Sequence, residues 1–301
     1  MIDYQSLDTE HIDLINSYIH NYPRESCDYC VANLVTWGKI YDNQIATHKG
    51  KLLLFNPQYQ YLLFPLGEEI TVEFLVECVK LTREKYPRAE MILFPEDYIL
   101  QHPEIHQYFD LHDDRDWADY VHSIERLVEL KGKKLAKKKN LISQFRRSYA
   151  DYHIVPIDKS KADPIIEFTS KWRRERDMEG SFLDSEFTAI QNTMKYWDEL
   201  PVEGIIICHD QRIHAYSIFS PLTQDMVTVH YEKFDPDKKG SAQVINWETA
   251  RYLSSRFTWI NREQDLGLPG LRQAKLSYDP DFLIKFITGD LKTTLEGDDH
   301  E

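Results

Sequence analysis

The sequence predicts an α+β (mixed α/β) chain built from two halves, each a mixed, mostly antiparallel sheet flanked by helices. Three observations carry this expectation. The order helices, strand meander, helix, strand occurs twice along 301 residues. That length is enough for two domains. A content of 42% hydrophobic and 13% aromatic residues allows a sizeable core and excludes a disordered composition.

Residues 9–19 predict a helix with Ile12, Ile15 and Ile19 on one face. "QIATHKGKLLLFNPQYQYLLFPLG" then places two apolar pieces around a Lys-Gly-Lys turn and an Asn-Pro turn, the signal of a meander. A helix follows from Thr71, with Phe74, Leu75, Cys78 and Leu81 on its stripe and Pro87 marking its end. "MILFP" reads as a short buried strand, and "EDYILQHPEIHQYFD" as a helical stretch broken at Pro103. In the second half, helices are expected over 124–149, 164–176 and 184–200. The strands "GIIICHD", "IHAYSIFSPL" and "MVTVHYEKF", a helix over 241–254 and the strand "FTWINRE" complete the pattern. The boundary is expected near 118–130, giving a first domain of 1–122, a second of 123–293 and a solvated acidic tail of 294–301.

A net charge of −14 favours solubility and confines any polyanion site to a local basic patch, with no general affinity for DNA. The start, Met1-Ile2-Asp3-Tyr4, lacks a secretory signal, and no apolar run approaches a membrane span. A cytoplasmic protein is expected. Of four cysteines, Cys27 and Cys30 form a C-x-x-C in "PRESCDYC". Without a second pair for zinc or a preceding strand for a thioredoxin-like site, they are expected to be incidental thiols. His112, His153, His209, His214 and His230 show no ligand spacing, so no metal is expected.

Three constellations could carry chemistry. In "FDPDKKGSAQVINWETARYL" a strand turns into a helix start at Lys238, Lys239, Gly240, Ser241 and Ala242. A helix N-terminus offers unpaired N–H groups to a phosphate; a helix start capped by Ser241 with two solvated lysines is the structural alternative. The corresponding place in the first half carries Glu68 and Glu69, which would repel a phosphate. Second, residues 131–147 hold eight basic residues and no acidic one. Lys133, Lys134, Lys137, Lys138, Arg146 and Arg147 there are a polyanion surface or a solvated helix face. Third, "NREQDLGLPGLRQAKLSYDP" places Glu263, Asp265, Arg272, Lys275 and Tyr278 directly after a core strand. Acyl transfer to an amine needs a base, donors for the oxyanion and an acid for the leaving group, and all three types occur here. A salt-bridged turn is the structural alternative.

"YVHSIERLVELKGKKLAKKKNLISQFRR", "INWETARYL" and "INREQDLGLPGLRQAKLSYDP" together resemble the phosphatidylglycerol lysyltransferase C-terminal domain family. The resemblance implies two tandem GNAT-like acyltransferase domains, related to the Fem transferases that use aminoacyl-tRNA. With Glu68 and Glu69 in the first half, the second domain is expected to bind the donor and catalyse, and the first to have a structural or specificity role. The terminal motif is similar to the Fem-type Gly-Leu…Lys pattern, here Gly270, Leu271 and Lys275, in which the lysine faces a phosphate or acyl oxygen. The segment 237–242 keeps the Gly and Ala of the GNAT pyrophosphate loop but begins with Asp237. The expected function is transfer of an aminoacyl group from tRNA to a small-molecule or lipid acceptor. Acyl-CoA-dependent N-acyl transfer and a non-catalytic binding protein are the alternatives. No tightly bound cofactor is expected, with aminoacyl-tRNA or acyl-CoA as co-substrate. Glu263 or Asp265 is expected as base, Arg272 and Lys275 as charge stabilisers and Tyr278 as proton donor.

Overall fold

The computed structural model describes residues 2–174 and 181–292, so the predicted acidic tail lies outside the described residues. Strands β1 (Gln5–Ser6), β2 (Gln44–His48), β3 (Lys51–Asn56), β4 (Tyr61–Leu63), β5 (Glu90–Ile92) and β6 (Phe109–Asp113) belong to the first sheet. Strands β7 (Asp119–Ser123), β8 (His153–Pro156), β9 (Glu203–His209), β10 (Arg212–Pro221), β11 (Met226–Phe234), β12 (Trp259–Asn261) and β13 (Phe282–Ile284) form the second. The last strand, β14 (Ile287–Leu291), returns to the first sheet between β5 and β6, and the strand orders are 1-2-3-4-5-14-6 and 13-7-12-11-10-9-8. The halves thus hold each other through both chain crossings. Residues 119–122, on the first-domain side of the expected boundary, pair in the second sheet. All pairs are antiparallel except β4–β5 and β11–β12.

Helices flank the sheets as patterned. Helix α1 (Ile12–Asn21) follows a 3-10 turn, and α2 (Val31–Thr36) begins at the second cysteine of the C-x-x-C. Helix α3 (Val72–Arg83) is capped by the Thr71 hydroxyl on the Phe74 N–H. The single helix expected over 124–149 is instead two. Leu130 and Gly132 adopt positive φ after the short helix Ile124–Glu129, and the chain restarts as α4 (Ala136–Ser148). Helices α5 (Ala162–Arg174), α6 (Ser181–Lys195), α7 (Ser241–Leu253) and α8 (Pro269–Leu276) complete the second half.

One core packs α3 on the first sheet around Phe55, Leu75 and Met91, and another packs α7 on the second around Ile205, Val244 and Ile260. A third lies between the halves and joins Ile15, Tyr29 and Leu54 to Ile190, Ile218 and Phe286. This shared core joins the two halves, and a cleft lies between them where strands part.

Candidate functional site

The parting occurs in the second sheet. β11 and β12 pair in parallel only from Met226–Trp259 to Thr228–Asn261, while β11 continues to Phe234. Beyond Thr228 the strands diverge, and the space is a cavity of about 560 Å³. Asn33 of α2, Trp37 just after it, Tyr59 and Trp117 line it from the first half, facing His230, Arg262 and Glu263.

The polar segment leaving β12 builds one wall, and each of its side chains is engaged. Asn261, fully buried, donates to Asp119 Oδ2 (2.7 Å) and Glu25 O (3.0 Å), and its Oδ1 accepts the Glu263 N–H (2.7 Å). Arg262 pairs with Glu232. Gln264 donates to Asp28 Oδ2 (3.0 Å) and Cys27 Sγ (2.9 Å). Asp265 accepts from Arg272 Nε and Nη2 (2.8 Å each), the Tyr120 hydroxyl and the Gly267 N–H (3.0 Å).

Glu263 sits at positive φ, which turns its side chain into the cleft. Its Oε1 accepts from Asn33 Nδ2 (2.8 Å) and lies 2.9 Å from His230 Nδ1. His230 reaches that position through a β-bulge. Ile218 pairs with Tyr231 and Phe219 with Val229, so His230 is the extra residue and its ring is re-aimed. Behind it, Nε2 lies 2.7 Å from Ser220 Oγ, which lies 3.0 Å from Cys30 Sγ. Burial works against a charged His230, but Cys30 and Glu263 outweigh it and raise its pKa. Burial likewise opposes a Cys30 thiolate, and His230 outweighs it and lowers the thiol.

Asp28 and Asp119 stand beside Cys27. Burial and then the Asp119 charge push Asp28 up to about 7, while burial pushes Asp119 up to about 6 against its bonds from Asn261 and Cys27. A carboxyl whose folded pKa exceeds its unfolded value stabilises the fold at low pH and loses that contribution as pH rises through the folded pKa. The wild-type Tm is therefore expected to fall between about pH 4 and pH 7 relative to Asp28→Asn. Parallel thermal melts across that window, showing no difference in slope, would contradict the placement.

The other expected residues are distributed differently. Lys275, buried, donates to the carbonyls of Arg262 (2.6 Å), Glu263 (3.0 Å) and Gln264, so it clamps the loop that carries Glu263. Burial lowers its pKa to about 8. Arg272 is committed to Asp265 and Asp116, so the pair is the salt-bridged turn rather than an open base and cation. Asp265, fully buried, is held well below the carboxylate range because Arg272, Tyr120 and Gly267 outweigh the cost of burial. Tyr278 is buried behind Arg262, whose guanidinium lies 5.1 Å from its ring, and burial raises its hydroxyl pKa.

The predicted phosphate loop faces the protein itself. Gly240 has φ +91°, and a Cβ there would meet Leu141 O at 2.5 Å and Phe145 Cβ at 3.1 Å. The glycine thus admits the close approach of α4. The Ser241 N–H bonds Lys238 O (2.9 Å), and its hydroxyl bonds Asp235 O (2.8 Å). Lys239 is exposed, and Lys238 lies 5.9 Å over Tyr149. On α4 and the loop before it, Lys133, Lys134, Lys137, Arg146 and Arg147 are exposed. Lys138 is half-buried, bonded to Ser277 Oγ (2.7 Å) and 4.1 Å from the Tyr278 ring. A line of side chains, Lys138, Tyr278 and Arg262, therefore leads from the basic face to the cleft wall.

Sequence reasoning missed Asp28, Asn33, Ser220 and the roles of His230 and Cys30. The available signals were the polar stretch "ESCDYCVAN" and a histidine inside an apolar strand, both ambiguous until the sheets meet.

No helix among the described residues is long and apolar enough to cross a membrane. Comparison with solved structures finds a conserved protein of unknown function from Bacteroides thetaiotaomicron, 27% identical, with TM-score 0.89 over 97% of this chain and 100% of that one. L-PGS from Bacillus licheniformis is similar in fold at 12% identity, TM-score 0.64, over 94% of this chain and 92% of that one. FemX matches at 8% identity, TM-score 0.62, over 98% of each chain. The fold is thus shared with L-PGS and FemX. An uncharacterized protein of Mycoplasmoides gallisepticum is 21% identical over 169 residues, 56% of this chain, and that stretch spans about half (54%) of the relative's length. The model of the family described as phosphatidylglycerol lysyltransferase, C-terminal, matches residues 19–288, and the chain belongs to that family.

Proposed function

We propose that this protein moves an aminoacyl group from aminoacyl-tRNA to a small-molecule or lipid acceptor, in the cleft where the two halves meet. The observation that carries the reading is Glu263, a carboxylate set into the cleft by a buried His230 and by Asn33 from the other half. In the reaction, the acceptor heteroatom attacks the ester carbonyl and Glu263 takes its proton. The bond to the ribose oxygen then breaks, and that oxygen receives a proton. The second half, 123–293, supplies base and donor surface, and the first, 1–122, supplies Asp28, Asn33 and Trp37 for specificity. The co-substrate brings the activated acyl group, so the reaction calls for no tightly held cofactor.

The exposed cations of α4 suit a tRNA backbone, and the Lys138–Tyr278–Arg262 line connects them to the wall that bears Glu263. An acyl-CoA donor at Gly240–Ala242 draws less support, because the side of Gly240 where a Cβ would sit is taken up by Leu141 and Phe145. A Lys133→Glu, Lys137→Glu, Arg147→Glu triple variant is expected to bind charged tRNA more weakly. Its salt slope should be shallower by about one for each phosphate that the variant no longer neutralises. Equal affinity and equal slope in a filter-binding titration would remove α4 from the donor site.

A further inference from the structure

The cleft is one of two cavities that share a wall. On the other side lies a groove of about 1160 Å³, lined by Cys30 and Pro221 and open along Glu25 and Asp225. The wall contains a continuous chain of polar atoms. Asn33 Nδ2 and Glu263 Oε1 are 2.8 Å apart, Glu263 Oε1 and His230 Nδ1 2.9 Å, His230 Nε2 and Ser220 Oγ 2.7 Å, and Ser220 Oγ and Cys30 Sγ 3.0 Å. Ser220 and Cys30 are buried, and the two-step path through the hydroxyl is made of shorter contacts than the direct 3.8 Å contact of Cys30 Sγ with His230 Nε2. Nothing in the transfer step itself needs a thiol or a hydroxyl at this place.

We propose that His230, Ser220 and Cys30 are positioning residues that shift a compensating proton whenever Glu263 is protonated. At rest the imidazolium faces the Glu263 carboxylate on one side and, through Ser220, the Cys30 thiolate on the other. When Glu263 takes the acceptor's proton, the imidazolium loses its anionic partner. Its Nε2 proton passes to Ser220 Oγ, and the Ser220 hydroxyl proton passes to Cys30 Sγ. All three groups are then neutral. When Glu263 gives its proton to the leaving ribose oxygen, the thiol proton returns by the same path. A carboxylate beside a fixed cation is a weak base, and this shift removes the cation as the proton arrives. The bulge at His230 is the structural device that makes both contacts from one ring.

The inference rests on the reading of the cleft as the transfer site, so its test is made first without substrate. Other charges near the chain are Asp28 and Asp119 beside Cys27, and Lys275 and Arg262 behind the loop. Thiolate absorbance is titrated in a Cys78→Ala, Cys208→Ala background, with Cys30→Ser subtracted. The Cys30 titration should move up by about one pH unit or more, a tenfold loss of thiolate, in Glu263→Gln, although that residue faces the opposite cavity. His230→Asn should move it further. A Glu263→Gln titration that superimposes on the parent would overturn the relay, whether or not the protein transfers anything. In transfer assays, Ser220→Ala should lower kcat by about tenfold at unchanged KM, with Ser220→Thr restoring it. Unchanged kcat in Ser220→Ala would also overturn it. Coupled titration in a protein that transfers no acyl group would leave the relay standing and remove the transfer reading alone.

Discussion

Glu263→Gln is expected to lower kcat for acyl transfer by about a hundredfold or more while leaving the fold and donor binding intact. The amide keeps the shape of the carboxylate and an oxygen to accept the Asn33 bond, so the loop retains its geometry. What is lost is the base and the counter-charge to His230. The loss should fall on kcat, because a proton is taken only as the acceptor attacks. The acidic limb of the pH–rate profile should vanish with the carboxylate. Steady-state kinetics with thermal melts in parallel check this. Near-normal kcat in a folded variant would move the base elsewhere, with Asp28 next in line from its place on the cleft wall.

Asp265→Ala is expected to destabilise the protein by about 2 kcal/mol, below the scale for breaking a fully buried ion pair because solvent reaches the Arg272 and Arg115 partners. The carboxylate has no exposed side-chain surface and gathers Arg272, Tyr120, Arg115 and the Gly267 N–H. These groups tie α8 to β7 and to the loop after β12, and α8 carries Lys275, the clamp on the Glu263 loop. A carboxylate whose folded pKa is depressed contributes stability above its unfolded pKa and loses it as pH falls toward the folded value. The difference between wild type and Asp265→Ala should therefore be largest at neutral pH and narrow below about pH 4. Denaturant titrations at both pH values decide this. A loss of activity without loss of stability would return Asp265 to the chemistry.

Much of the architecture was legible because meander turns, helix caps and apolar stripes are local. The Lys-Gly-Lys turn does join β2 to β3, and Thr71 does cap α3. The exchange of β7 and β14 between sheets was not legible, because short strands pair over distances that periodicity does not report. At the site, the exit motif drew attention to the right loop but could not rank its members. Asp265 and Arg272 neutralise each other, Lys275 borders the cleft but directs its ammonium to backbone carbonyls, and Glu263 brings a carboxylate to the cleft. Its partner His230 depends on a one-residue bulge, and Asn33 comes from 230 residues away. The Gly240 loop is ambiguous for a physical reason. A glycine that permits close backbone approach looks the same in sequence whether the visitor is a phosphate or a neighbouring helix.

The most direct test of a transfer site between the halves follows a labelled amino acid. tRNA charged with a radiolabelled amino acid is incubated with the purified protein, with a membrane-lipid extract in one arm and a small-molecule extract in the other. The wild type should move label from tRNA into a stable product in one arm, and Glu263→Gln should leave it on the tRNA. Label that stays on tRNA in both arms, or is lost at the same rate with and without protein, would contradict the account.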